Sequence, residues 1–308
     1  MTDGIPLGVV PFDRLTAQQP LVQSGDQGGR AEAFRTLRTN LQFTNVDDPP
    51  RVIVVTSALP DEGKSTTSAN IALTLALSGA SVALVEADLR KPAMSKYLGV
   101  SSGAGLTNVL AGQYDLREVL VPYGQENLAL LPSGPKPPNP SELLGSAHMS
   151  SLLETLSTHF DYVIIDAPPL LPVTDAAIVA AMADGALVVV RHGKTTREGL
   201  DRAVQSLKAV NAKLLGTVLN FAPRKKRGGG YDGYGYGYGY GTPVDPNQFR
   251  QSTMKPAAGG LAAIRQSGPA PKNGYPSPVD ATSQFRVDGG DPNGAHQPSH
   301  GQETRRGA

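Results

Sequence analysis

Two spacings of apolar residues alternate along the first 223 residues of the chain. Residues 52–56 and 82–85 are short, almost continuous apolar runs, and three similar runs follow at 162–165, 186–190 and 214–219. Runs of this length that are rich in Val, Ile and Leu are typical of strands that are buried on both faces of a parallel sheet. The pattern therefore predicts at least five such strands.

Helical periodicity appears between these apolar runs. Residues 31–43, 64–78 and 197–210 repeat apolar positions every three or four residues, which predicts helices. Residues 105–111 and 142–159 are also predicted helices, the second with Ser141 as its N-cap. Strands that alternate with helices predict an α/β fold, with a doubly wound, mostly parallel sheet that helices cover on both faces.

The two ends of the chain differ in composition from its middle. A short apolar stretch at residues 5–12 leads into a polar segment, so residues 1–30 are predicted to be a linker to a domain at residues 31–223. Residues 224–308 are dominated by Gly, Pro, Ser, Gln and Asn. Such a segment cannot bury enough apolar surface to offset the entropy lost on ordering. We therefore expect a disordered C-terminal tail.

Charge and missing residue types narrow the possible functions. A formal net charge of +1 gives no general affinity for nucleic acid. The chain contains no cysteine, which excludes a disulfide framework and thiolate metal sites. No apolar run approaches the roughly 18 residues of a membrane-spanning helix, and the N-terminus lacks the features of a secretory signal. These observations predict a soluble, intracellular protein.

A phosphate-binding motif lies between the first predicted strand and the helix that follows it. The segment from Ala58 reads Ala-Leu-Pro-Asp-Glu-Gly-Lys-Ser-Thr and matches the Walker A loop at Gly-Lys-Ser, although Ala58 stands where glycine is usual. Amides of such a loop cradle phosphates, its lysine reaches the β- and γ-phosphates, and its serine binds Mg²⁺. An incidental strand-to-helix turn is the disfavoured alternative. The predicted nucleotide-binding residues are Pro60, Asp61, Glu62, Gly63, Lys64, Ser65 and Thr66.

Three carboxylates follow other predicted strands, at the edge where open α/β sheets bind ligands. Asp166 ends an apolar run, as a Walker B aspartate does, and is predicted to hold Mg²⁺; a helix cap is the alternative. Glu86 and Asp88 point to the same side if their strand continues. One would then contact the metal, and the other would act as general base toward a tyrosine hydroxyl with a pKa of about 10. Arg90 is predicted to neutralise charge on the transferred phosphate.

A cluster of tyrosines lies in the predicted tail. Half of the ten tyrosines of the chain occur there, most of them separated by single glycines. Glycine keeps the backbone flexible, so these hydroxyls could reach an active site. An adhesive low-complexity tract is the alternative, and only the upstream nucleotide site favours phosphate acceptors over it. The predicted acceptors are Tyr231, Tyr234, Tyr236, Tyr238 and Tyr240.

Taken together, the motifs resemble the bacterial tyrosine kinase family, whose members phosphorylate their own tails. The resemblance rests on the Glu-Gly-Lys-Ser loop, the Glu-Ala-Asp-Leu-Arg and Asp-Ala-Pro-Pro strand ends, Pro-Ser-Glu-Leu-Leu at residues 140–144, and the tyrosines. It implies a P-loop fold of the SIMIBI type, ATP and Mg²⁺ as cofactors, and a nucleotide contact from Asn220. Lys64 and Ser65 would bind phosphate and metal, with Asp88 as metal ligand or base. Glu86 and Asp61 depart from the family, which usually has Asp and Gly there.

The resemblance also implies partners. Glu32, Arg35 and Arg38 match the family's Glu-x-x-Arg-x-x-Arg subunit-contact motif, which implies a homo-oligomeric ring. Without the resemblance, pairing within the helix would explain these charges. Family members regulate capsule and exopolysaccharide polymerisation and export with a transmembrane activator related to chain-length determinants. The chain is thus expected in the cytoplasm, at the inner face of the plasma membrane, with a tyrosine phosphatase as a further partner and no nucleic acid.

Two other functions remain open on the sequence. Partition and division-site ATPases share this fold and the strand-end aspartate, but they carry a signature lysine early in the loop, where this chain has Leu59. A protein of that kind would be an ATPase switch that leaves its tyrosines unmodified. A nonenzymatic scaffold that binds through its tail is the second alternative, which the intact Lys64, Ser65 and Asp166 disfavour.

Overall fold

A single sheet with helices on both faces forms the part of the chain that the computed structural model describes, residues 6–14, 18–45, 47–124 and 127–223. The strands of these residues are β1 Pro6–Pro11, β2 Val52–Ser57, β3 Val82–Glu86, β4 Val121–Tyr123, β5 Leu128–Leu131, β6 Tyr162–Asp166, β7 Gly185–Arg191 and β8 Leu214–Ala222. Their helices are α1 Gly29–Gln42, α2 Lys64–Leu77, α3 Met94–Leu98, α4 Leu106–Leu110, α5 Leu116–Val119, α6 Pro140–Leu144, α7 Ala147–His159, α8 Asp175–Ala180 and α9 Arg197–Lys208.

The spatial order of the strands is β1-β8-β7-β2-β6-β3-β5-β4. Neighbouring strands are parallel except for the antiparallel pair of β4 and β5. Alternate residues of β2 enter opposite cores: Val54 packs with α7 and α8, whereas Ile53 packs with α1 and α2. This alternation explains the continuous apolar runs, because both faces of each inner strand are covered. The predicted doubly wound, mostly parallel α/β fold is confirmed.

The N-terminal segment contributes an edge strand, so the prediction that all of residues 1–30 form a linker needs correction. β1 lies parallel to β8, with Pro6 opposite Thr217. Leu7 and Val10 are buried, but Val9 is 46 % exposed. A strand of six residues with a proline at each end gives a weak sequence signal, and prolines are tolerated in it because it lies at an edge.

The predicted helix over residues 142–159 is two helices, α6 and α7. The break falls at Gly145, and the side chain of Ser146 caps α7 by accepting the amide of Met149 at 3.3 Å. Ser141 is not an N-cap, because α6 already begins at Pro140, whose missing N–H costs nothing at a first helical position. The Ser141 hydroxyl instead donates to Asp175 at 2.6 Å.

The remaining predictions of helices and strands are confirmed in part. The helices predicted at residues 64–78, 105–111 and 197–210 are confirmed to within a few residues by α2, α4 and α9. Strands β4 and β5 and helices α3 and α5 are too short for a clear periodic signal and were not expected. Residues 224–308, with the expected disordered tail and its tyrosines, lie outside the described residues. In the described residues, no helix has the length and apolar character needed to cross a bilayer.

Gly105 offers a test of how tightly α4 is joined to the sheet. A Cβ at this position would lie 2.1 Å from the carbonyl oxygen of Pro132 and 2.6 Å from the amide nitrogen of Gly134. Because both neighbours are backbone atoms, Gly105→Ala is expected to lower the free energy of unfolding by about 1–3 kcal/mol. Gly103→Ala is the matched control, since its nearest neighbour is 3.8 Å away. Urea unfolding would measure both; equal stabilities would contradict the packing described.

Candidate functional site

The phosphate-binding motif forms the turn between β2 and α2. Gly63 is the N-cap of α2 and has a left-handed backbone, with φ of +89°. A Cβ on Gly63 would lie 2.1 Å from Nδ2 of Asn220, so glycine is required both by its φ and by this close approach. Asp61 also has a positive φ of +62°, which aspartate tolerates better than most residues. The departure from glycine at Asp61 therefore leaves the loop with the conformation that glycine would allow.

The Glu62 side chain holds the loop in shape from inside the protein. Its carboxylate is fully buried and accepts the backbone amide of Leu59 at 2.9 Å and the hydroxyl of Thr195. Thr195 follows β7, so Glu62 joins the loop to the neighbouring strand. The Glu62 side chain thus has a structural contact, so the predicted contact of Glu62 with the nucleotide would have to come from its backbone amide. Thr195 has no sequence signal, because it is one of two adjacent threonines in a polar turn.

Lys64 lies between two carboxylates beneath the loop. Its Nζ is 2.7 Å from Oδ2 of Asp88 and 3.5 Å from Oδ2 of Asp166. Asp166 is fully buried at the end of β6 and accepts hydroxyls from Ser65 at 2.7 Å and from Ser68 at 3.1 Å. The structure thus brings together four residues that the sequence placed in the site, and it adds Ser68, one turn along α2 from Lys64.

Burial and charge act in opposite directions on this cluster. Burial disfavours the charged ammonium of Lys64, but the Asp166 and Asp88 carboxylates outweigh burial and raise its pKa. For Asp166 burial is the largest influence and raises the pKa of the carboxyl, although Lys64 and the Ser65 hydroxyl oppose that rise. Each charge is therefore tolerated in the interior because its partner is present.

Glu86 and Asp88 do not share one side of a strand. β3 ends at Glu86, so the alternation on which their predicted pairing rests stops there. The buried carboxylate of Glu86 accepts the amides of Ala93, Met94 and Ser133, at 2.5, 2.6 and 3.1 Å. Glu86 thereby fixes the start of α3 and the end of β5. The expectation that it acts as a metal ligand or base is not supported by these contacts, whereas Asp88 does reach Lys64.

Arg90 is held by a buried aspartate that sequence inspection did not single out. Its Nε and Nη2 donate to the two carboxylate oxygens of Asp175, at 2.8 and 3.0 Å. Burial alone would raise the pKa of Asp175, but the hydrogen bonds from Arg90 and Ser141 outweigh it and lower the pKa. The bond to Asp175 also raises the pKa of Arg90. Arg90 is thus a fixed positive charge that joins the loop after β3 to α6 and α8.

A cavity of about 460 Å³ opens above these residues. One wall of the cavity is apolar. Arg191 and Phe221 line another part of it, and the Arg191 guanidinium lies 4.5 Å from the centre of the Phe221 ring. Arg191 and Phe221 belong to no motif that would have identified them, whereas two residues of the apolar wall, Pro168 and Pro169, are part of the Asp-Ala-Pro-Pro strand end. The site residues expected from the sequence that line the cavity are Pro60, Asp61, Gly63, Lys64, Ser65, Thr66, Asp88 and Arg90. The apolar wall is formed by Tyr97, Pro168, Pro169, Pro172 and Val173.

The cavity residues fit a nucleotide and a magnesium ion. Gly63 is the N-cap of α2, and a helix N-terminus attracts phosphate. The Ser65 hydroxyl oxygen and the Asp166 carboxylate oxygen, 2.7 Å apart, are both suitable metal ligands. Mg²⁺ commonly takes such a pair together with oxygens of substrate phosphates.

The predicted subunit-contact residues lie on α1, away from the cavity. Arg35 pairs with Glu32 at 2.7 Å within the helix and also donates to the carbonyl of Asp26. Arg38 reaches the carbonyl of Thr74 at 3.4 Å, and its Nε is buried without a hydrogen-bond partner in the described residues. Desolvation of the Arg38 guanidinium lowers its pKa.

Comparisons with known proteins agree with this geometry. A family model described as an AAA domain matches residues 50–220. Tyrosine-protein kinase YwqD of Bacillus subtilis is 41 % identical over 190 residues, which cover 62 % of this chain and 80 % of that protein. Tyrosine-protein kinase CpsD of Streptococcus agalactiae is 38 % identical over 190 residues, covering 61 % of this chain and 82 % of that protein.

Solved structures give the same assignment. The kinase domain of Escherichia coli tyrosine kinase ETK has a TM-score of 0.67 and 30 % identity, covering 76 % of this chain and 95 % of that chain. The chimerical protein CapA2B2 has a TM-score of 0.66 and 32 % identity, covering 72 % and 96 %. These relatives favour a tyrosine kinase over a partition or division-site ATPase. The chain belongs to the family of bacterial tyrosine-protein kinases.

Proposed function

We propose that this protein is an ATP-dependent protein-tyrosine kinase that phosphorylates tyrosines of its own C-terminal tail. The observation that carries the proposal is the position of Lys64, which lies under the phosphate loop and contacts both Asp88 and Asp166. Phosphoryl transfer depends mainly on positioning and on neutralising charge, and this cluster provides both. The names of the relatives support tyrosine as the acceptor.

Binding of ATP would use the loop and the N-terminus of α2 for the phosphates. Lys64 would turn from Asp88 to the β- and γ-phosphates, which offer its ammonium a larger negative charge. Ser65 and Asp166 would hold Mg²⁺, which when bound neutralises phosphate charge and shapes the triphosphate. Arg90 would add a fixed positive charge at the cavity, because Asp175 prevents it from turning away.

Transfer would form a bond between the tyrosine oxygen and the γ-phosphorus while the bond from that phosphorus to the bridging oxygen of ADP breaks. Asp88 is the proposed acceptor of the tyrosine proton, since it lines the cavity and would be freed when Lys64 moves. The apolar wall of the cavity suits the ring of the incoming tyrosine. We infer that the acceptors are Tyr231, Tyr234, Tyr236, Tyr238 and Tyr240, and that a neighbouring subunit supplies them.

The proposed setting follows the family. We infer that the chain forms a ring through the α1 charges and acts with a transmembrane activator at the inner face of the plasma membrane. Its activity would regulate polymerisation and export of a capsular or extracellular polysaccharide, and a tyrosine phosphatase would reverse the modification.

The first test is phosphorylation of the tail. Full-length protein incubated with Mg-ATP, with and without the cytosolic segment of an activator, is expected to gain phosphate at residues 231–240, as seen by peptide mass spectrometry. Lys64→Met removes the ammonium and is expected to reduce incorporation by about a hundredfold or more. ATP hydrolysis with unmodified tyrosines under both conditions would favour an ATPase switch and overturn the proposal.

A second test separates the two carboxylates after β3. Asp88→Asn is expected to lower kcat by about a hundredfold, the usual value of a general base. It also removes one of the two carboxylates that pair with Lys64, so some loss of stability is expected as well. Glu86→Gln replaces an acceptor that binds three amides, so it is expected to lower the free energy of unfolding by about 1–3 kcal/mol while keeping most of kcat. Single-turnover kinetics and urea unfolding measure the two quantities. The reverse pattern would assign the base to Glu86.

A third test concerns assembly. The double variant Arg35→Ala, Arg38→Ala is expected to shift the protein from a ring-sized species to the monomer in light-scattering chromatography, because α1 loses the charges that we assign to the contact. Arg202→Ala, an exposed arginine on α9, is the control and is expected to leave the assembly intact. A ring that survives the double variant would place the subunit contact elsewhere.

A further inference from the structure

Three successive carbonyl groups of the phosphate loop each accept a hydrogen bond from a side chain outside the loop. The donors come from the last residue of β7, from the turn after it and from the end of β8. The three bonds run from Lys194 Nζ to Pro60 O at 2.8 Å, from Arg191 Nη1 to Asp61 O at 2.7 Å, and from Asn220 Nδ2 to Glu62 O at 3.2 Å. We call Lys194, Arg191 and Asn220 the outer donors.

The sheet sets the spacing of the outer donors. Arg191 and Asn220 are paired across β7 and β8, so their side chains start from neighbouring points at the same edge. The Phe221 ring lies 4.5 Å from the Arg191 guanidinium and packs against it. Arg191 and Asn220 are therefore positioned by the strands that carry them. Lys194 lies in the turn after β7 and contacts the loop a second time, at the Asp61 carboxylate, 3.9 Å away.

Peptide geometry gives these contacts a consequence for the other side of the loop. In a planar trans peptide the carbonyl and the N–H of the next residue point in opposite directions. A carbonyl that is tied toward β7 and β8 thus turns the following N–H away from those strands. Carbonyls 60, 61 and 62 control the amides of Asp61, Glu62 and Gly63, which are loop amides of the kind that cradle phosphate.

We propose that the outer donors are positioning residues, which hold these three amides ready for phosphate and act through the backbone without touching the nucleotide. Asn220 thereby changes role, since the family resemblance implied a nucleotide contact, whereas its side-chain amide donates to the loop and its oxygen accepts the amide of Phe221 at 2.9 Å. The proposal deepens the proposed function and rests on it only in requiring that the loop bind phosphate groups.

Binding experiments on the full chain test the first consequence. The probes are Mg-ADP and magnesium tripolyphosphate, the second of which has phosphates but no base or ribose. Arg191→Met keeps the apolar part of the side chain but loses the hydrogen-bond donor. It is expected to weaken the binding of both probes by the same factor, about tenfold. Arg191→Lys restores one donor and is expected to recover most of the affinity. Lys208→Met, an exposed charge change on α9, is expected to have no effect.

Hydrogen exchange of the ligand-free protein tests the second consequence. Peptides that cover residues 58–66 are expected to exchange faster in Arg191→Met than in the wild type, because the loop loses a carbonyl anchor before any ligand is added. Lys194→Met, at a side chain that is 39 % exposed and therefore safe to replace, is expected to show the same change more weakly. Far-UV circular dichroism checks that both variants are folded.

The outcomes separate the possible roles. Weaker tripolyphosphate binding with unchanged exchange would make Arg191 a direct phosphate ligand, and weaker Mg-ADP binding alone would place it on the base or ribose; either overturns the proposal. Unchanged binding and exchange would also overturn it. None of these readouts needs phosphoryl transfer, so a protein that proves not to be a kinase would still give a clear result for the outer donors.

Discussion

The interaction on which the site depends is the buried contact of one ammonium group with two carboxylates. Asp166 is fully buried, and the side chains of Lys64 and Asp88 are only 11 % and 5 % exposed, so each charge is stabilised by its partners. When a nucleotide and Mg²⁺ bind, phosphate oxygens would replace Asp88 as partners of Lys64, and the cation would replace the ammonium beside Asp166. The charged side chains that would bind the nucleotide and the cation are therefore already in place before either one binds.

Around this cluster the chain places supports of two kinds. Glu62 and Glu86 are buried carboxylates that bind backbone amides and thereby fix the turns on which Lys64 and Asp88 stand. Asp175 is a buried carboxylate too, but it binds the guanidinium of Arg90 and thereby fixes a side chain instead of a turn. Some acidic residues near the cavity are thus placed to contact a ligand, and others hold the protein in shape. Only their observed contacts show which residue has which role.

This division also marks how far the sequence could be interpreted. The apolar runs and the Gly-Lys-Ser motif predicted the sheet, the loop and the places of Lys64, Ser65 and Asp166, because their spacing is local. The pairing of Glu86 with Asp88 could not be judged, since it depended on where β3 ends. Asp175, Thr195 and Arg191 were missed because each is a single polar residue more than 80 positions from its partner in the chain. Edge strand β1 was missed because only Leu7 and Val10 of its six residues are buried.

The order of strands in the sheet has a consequence for folding during synthesis of the protein. β2 lies at the centre of the sheet, but its neighbours β6 and β7 begin at residues 162 and 185, and the loop is completed by β8, which ends at Ala222. On the ribosome, where the N-terminal part emerges first, the nucleotide site cannot form until nearly all of this domain has been made. Residues 224–308 are translated after it. The tyrosines at residues 231–240 are thus translated only after every part of the nucleotide site.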